Sequence, residues 1–118
     1  MGSEGTARGR FQRALERGNT LNALAAAREL GWLPLGDALS LLLLLADGDQ
    51  RLYERGAARW VGRFALERGV TLEQLHLASA ALLALRAGSD AAVDCLEGLA
   101  FETGLPRPVR PGQGRSGH

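Results

Sequence analysis

Apolar residues recur along most of this chain at helical spacing, three or four residues apart, with one exception. Between Ala38 and Ala46 the apolar stripe closes around the helix, because Leu41 to Leu45 are five leucines in a row. A helix that is apolar all round must be covered on every side, so this stretch is expected to be the hub against which the others pack. The run of nine residues is too short to cross a bilayer, which takes about 20.

Around that hub the pattern predicts five more helices. Ala7–Arg17 places Phe11, Ala14 and Leu15 on one face and ends at Gly18. Thr20 is the expected cap of a second helix, with Leu21, Leu24, Ala27 and Leu30 as its apolar face and Gly31 as its stop. Trp32-Leu33-Pro34 turns the chain into the leucine helix, which ends at Asp47-Gly48-Asp49. Helix four, about Gln50 to Arg68, carries Leu52, Tyr53, Gly56, Trp60, Val61 and Phe64 as a stripe. Thr71 and Gln74 have the spacing of a capping box at the start of helix five. Its expected buried face is Leu72, Leu75, Ala78, Leu82 and Leu85. Gly88 and Ser89 separate it from helix six, where Ala92, Leu96, Leu99 and Ala100 face inward and Asp90, Asp94 and Glu97 outward. Gly104 stops that helix. Nothing alternates with period two over a useful length, so no strand is expected. The fold class is therefore all-α, with about six short helices.

One segment recurs. Ala14-Leu15-Glu16-Arg17-Gly18-Asn19-Thr20-Leu21 returns as Ala65-Leu66-Glu67-Arg68-Gly69-Val70-Thr71-Leu72, seven of eight positions identical and 51 residues on. Each copy ends a helix on Arg-Gly and caps the next. The spacing suits a three-helix unit, so two tandem units, about 7–47 and 50–103, are expected to form a compact bundle or a two-unit stack. They make one domain over 7–104. Residues 1–6 are small and polar, and are expected to be a disordered lead-in. Residues 105–118 hold three of the four prolines without periodicity, and are expected to be a disordered tail.

Charge changes the picture locally. The net charge is only +1, with all 14 basic residues Arg, so no global field draws the chain to nucleic acid or membrane. Residues 51–68 carry five Arg against two Glu, whereas residues 69–104 carry one Arg against five acids. Arg51, Arg55, Arg59 and Arg63 recur every fourth residue and form a ridge on helix four. Guanidinium groups so spaced can grip the acidic groups of a protein partner or track a phosphate backbone. The bland alternative is a solvated face, with Arg51 near Asp47 and Arg63 near Glu67.

Other chemistry finds little footing. Leu24–Leu45 has the outline of a helix-turn-helix, but its second helix would offer a major groove only leucines, which carry no donor to read a base. His76, Cys95 and His118 lack the paired spacing of a zinc site, and nothing marks an oxyanion site beside a Cys–His pair. Cys95 and His76 are expected to be structural, and Trp32, Tyr53 and Trp60 to pack in the core. No glycine-rich phosphate loop is present. Gly56 and Gly62 stand inside helix four, Gly56 on its apolar stripe, where close helix approach is expected.

The residues carry no resemblance to a known family. The expectation is a non-enzymatic protein–protein interaction module with no cofactor, metal or small-molecule ligand and no membrane association, which binds a protein partner or another copy of itself. A nucleic-acid-associated accessory protein using the Arg51–Arg63 ridge is the alternative. No export signal is evident, which makes the cytoplasm the expected compartment.

Overall fold

The computed structural model describes residues 3–112, with side chains from Thr6 onward. The described chain is all-helical. Its order is α1 (Ser3–Arg17), α2 (Thr20–Leu30), α3 (Leu35–Leu45), α4 (Gln50–Arg68), α5 (Leu72–Arg86) and α6 (Asp90–Glu102), with no strand among the described residues. The helices pair in chain order: α1 with α2, α3 with α4, α5 with α6.

The leucine helix is the hub. Seven of its eleven residues from Leu35 to Leu45 are buried apolar or small side chains besides Ser40, and its leucines divide between two apolar clusters. Leu35, Leu39, Leu42, Leu43 and Leu45 belong to the larger cluster, with Tyr53, Trp60 and Phe64 of α4, Leu82 and Leu85 of α5, and Leu96 and Leu99 of α6. Leu44 points the other way, into Phe11, Ala14 and Leu15 of α1 and Ala23 and Ala26 of α2. Only a helix without a polar face can serve two cores on opposite sides.

Hydrogen bonds tie the aromatic residues of α4 into that core. The Trp60 indole N–H donates to the Leu35 carbonyl at 2.9 Å, and the Tyr53 hydroxyl donates to the Leu82 carbonyl at 2.6 Å. Trp60 and Phe64 stack with ring centroids 4.7 Å apart. Burial pushes the Tyr53 phenol up to about 12, against a weaker opposing pull from Arg86. Gly56 meets the expectation of close approach, since a Cβ there would lie 3.2 Å from Leu42 Cδ2. Arg86 of α5 donates to the carbonyls of Ala46 and Gly48 at 2.7 and 2.8 Å, so a cation closes the C-terminal end of α3.

The two copies of the recurring segment make similar turns but cap them differently. Gly18 and Gly69 both take the left-handed conformation, φ +71° and +58°, which glycine adopts without a Cβ penalty. After Gly69 comes Val70, which has no side-chain acceptor. Thr71 therefore caps α5, completing the capping box with Gln74. After Gly18 comes Asn19, whose carboxamide oxygen already accepts from the Asn22 amide at 3.1 Å. Asn19, not Thr20, is the cap, and α2 starts one position earlier in the repeat than α5 does.

Four further expectations are corrected. Helix α1 begins at Ser3 rather than Ala7, so Ser3–Thr6 is helical; Met1 and Gly2 lie outside the described residues. The buried centre of α2 is Ala23 and Ala26, while Leu21 is 80% exposed. Small residues there let α2 lie close to Phe11 and Leu15, and the leucines flank the contact. Leu72 is also exposed, because it opens α5 beyond the end of the core. Finally, Leu105–Gly112 is no free tail. It runs back across α3 and α6, while residues 113–118 lie outside the described residues.

The returning strap is held by side chains that its composition hid. Leu105 packs on the larger cluster and Val109 on the smaller. Pro106 lies against Gly36, where a Cβ would come within 3.0 Å of its Cδ. The Val109 amide donates to Ser40 Oγ at 2.9 Å, and that buried hydroxyl in turn donates to the Gly36 carbonyl at 3.3 Å. Arg110 pairs with Glu97 at 2.7 Å and Asp94 at 2.8 Å. The Arg110 hydrogen bond holds the Glu97 carboxyl below its ordinary value.

Candidate binding groove

Three of the four arginines of the predicted ridge line one cleft. Arg51 is exposed and is not part of the lining, whereas Arg55, Arg59 and Arg63 line one bank of a cleft between α2, α3 and α4. The other bank carries Arg28 of α2, which the ridge pattern could not include because it comes from a different helix. The signal that could have found it is the isolated Arg28 among the alanines of α2.

The floor between these banks is apolar, mostly leucine, with the edge of the buried Trp60. Leu24 comes from α2, Leu41, Leu42 and Leu45 from α3, and Leu52 from α4. The cleft has a volume of about 580 Å³ and opens to solvent along its length. Among the described residues, no carboxylate lines it. Its lining comes from α2, α3 and α4 and from the α2–α3 turn. Gly56 on the α4 side and Ala27 and Ala38 towards α2 are the small residues of the lining.

Charge on the rim is partly spoken for. Arg63 pairs with Glu67 at 2.7 Å, as the i,i+4 spacing foretold, and its guanidinium also sits 5.1 Å over the Trp32 ring. Among the described residues, Arg28, Arg55 and Arg59 make no ion pair, and neither does Arg51, whose expected pairing with Asp47 does not form. Arg59 has Arg55 and Arg63 as its i±4 neighbours, so like charges flank it and no carboxylate on α4 relieves it.

Trp32 corrects another expectation. It is not core but 65% exposed, on the lip of the cleft under Arg63. Tyr53 and Trp60 are buried as expected, at 2% and 3% exposure.

The remaining chemistry is dispersed. His76 is exposed on α5 and Cys95 is half-buried on α6. No group of three or more His, Cys, Asp or Glu stands close enough to hold a metal ion among the described residues. No helix among them is long and apolar enough to cross a membrane. Outside the cleft, Leu66 on α4, Leu72, Leu77 and Leu83 on α5 and Phe101 on α6 are exposed. No family model, curated protein or solved structure matches the chain.

Proposed function

We propose that the chain is a non-enzymatic protein-interaction module, and that the cleft between α2, α3 and α4 holds an acidic segment of its partner. One observation carries this reading. Arg28, Arg55, Arg59 and Arg63 stand around an apolar floor that no carboxylate lines among the described residues. Arg28, Arg55 and Arg59 are exposed and make no ion pair among the described residues, and a carboxylate brought against them makes charge-assisted hydrogen bonds. An apolar floor adds area that water leaves on docking. Homotypic binding is one form of the same reading, and a cytoplasmic setting belongs to the proposal on sequence grounds alone.

The test is a photo-crosslinking residue placed at Arg59 of the full chain in its native host, with Ala80 on the exposed face of α5 as control. Protein adducts at position 59 and none at position 80 are expected. Nucleic-acid adducts at position 59 would replace this reading with the phosphate-tracking one. Absence of adducts, or equal adducts at both positions, would remove the cleft as the binding surface.

A further inference from the structure

The shape of the cleft and the placement of its charges go further than the class of partner. We infer that its occupant is an amphipathic α-helix of another protein, apolar on one stripe and acidic on both flanks. This inference rests on the reading of the cleft as the interaction surface.

Length comes first. The α4 bank runs from Leu52 to Arg63, eleven helical steps, or about 16 Å at 1.5 Å per residue. That is about three turns of a helix lying alongside. A floor of leucines at this length suits anchors at i, i+3 or i+4, and i+7, the spacing by which a helix presents an apolar stripe to a groove.

Charge placement follows. Arg55, Arg59 and Arg63 repeat every four residues along one bank, so they lie about 6 Å apart along the axis. Acids one turn apart on a docked helix repeat at nearly the same interval and meet them in register. Arg28 stands on the opposite bank, so a helix in the cleft meets positive charge on both sides of its apolar stripe. An occupant with acids on one flank only would leave one bank unpaired.

The floor chooses between kinds of anion. A nucleic acid held by an arginine row offers sugar edges and base faces to what lies between, and single-strand sites meet those faces with aromatic platforms. Here the surfaces between the banks are chiefly Leu24, Leu41, Leu42, Leu45 and Leu52. Of the two tryptophans in the lining, Trp60 is only 3% exposed with its indole N–H donating to the Leu35 carbonyl, and Trp32 is at the lip with Arg63 over its ring. Apolar floors take aliphatic or aromatic anchors of a peptide.

Trp32 also supplies the readout, since the second tryptophan, Trp60, is buried. The probe is a hydrocarbon-stapled peptide of about four turns, with leucines on one stripe and glutamates on both flanks. The staple is needed because isolated helices of this length are marginal in water. Three controls accompany it: the same composition scrambled, the same stripe flanked by lysine, and a duplex DNA. Binding to the full chain is followed by peptide anisotropy and by Trp32 emission.

The acidic amphipathic peptide should bind and shift Trp32 emission, and the scrambled and lysine-flanked peptides should bind at least tenfold more weakly. Arg59→Glu and Arg28→Glu should each weaken binding roughly tenfold, because each sets like charges against one flank. Glu73→Arg on α5 should not. Circular dichroism of each variant establishes that the fold is kept. Equal binding of the scrambled peptide, tighter binding of DNA, or loss at Arg59→Glu with none at Arg28→Glu would each overturn the inference. Crosslinking to protein at position 59 without binding of the stapled peptide would sink the helical occupant while leaving the interaction surface standing.

Discussion

Replacing Gly62 with alanine should stabilise the isolated chain, and the size of the gain tests how α4 is placed. Gly62 lies inside α4, and a Cβ added there meets nothing within 4 Å. The substitution therefore gains helix propensity with no steric opposition, about 0.8–1.0 kcal/mol. For a domain of about 100 residues, 1 kcal/mol moves the melting midpoint by about 4–8 °C. Gly56 sits six positions earlier in the same helix and is the internal comparison. A Cβ there falls 3.2 Å from Cδ2 of Leu42, itself only 3% exposed. Leu42 has to give by a few tenths of an ångström in a packed core, so packing strain opposes the same propensity gain. Gly62→Ala should then exceed Gly56→Ala in thermal and urea unfolding, with unchanged m-values. Equal gains at both sites would refute the close packing of Gly56 on Leu42, and no gain at Gly62 would refute its placement on an open face of α4. Gly62 does not line the cleft, so Gly62→Ala should also leave peptide binding as it was.

Three further outcomes are expected. Leu43→Asp should abolish cooperative folding, since Leu43 is 6% exposed in the larger cluster and an unpaired carboxylate buried there costs several kcal/mol; a soluble, equally stable variant would show that α3 is not the hub. Tyr53 is the only tyrosine, so the tyrosinate ultraviolet signal of the folded chain should titrate near 12 rather than 10, with stability held below the unfolded value and lost as pH rises through the folded one. Glu97 has the opposite sign. Its folded value is lowered below 4.5, chiefly by the Arg110 hydrogen bond, so the stability it contributes is present above 4.5 and drains away as pH falls through the folded value. Arg110→Ala should therefore lower stability at neutral pH and converge on the parent in acid, as followed by urea midpoints across pH. A constant difference at every pH would show that the ion pair is not its source.

The helices were legible because their ends are chemically marked. Gly18, Gly31, Gly69, Gly88 and Gly104 all take positive φ, and Thr71 and Gln74 close the box that their spacing implies. The run Leu41–Leu45 announced its own burial, because no rotation of that helix exposes a polar face. What stayed hidden depends on partners distant in sequence. Residues 105–112 have no period, and their order comes from Ser40, Gly36, Asp94 and Glu97 on two other helices. Trp32 looked like core because tryptophan is large and apolar, yet a turn residue at the edge of a cleft has nothing to cover it but Arg63. The arginine ridge was visible as a period of four. That three of its members face a cleft, and that Arg28 completes the rim from α2, follows only from how α2 and α4 cross α3.

The surface most in need of direct observation is the cleft itself. Backbone and indole resonances of the isotope-labelled full chain should be recorded by NMR while the stapled acidic peptide is added. Docking in the cleft predicts shift changes at the Trp32 indole and along Leu24–Arg28, Leu41–Leu45 and Leu52–Arg63, while α5 and α6 stay unmoved. Changes centred on Leu72, Leu83 and Phe101, with the Trp32 indole unmoved, would contradict it.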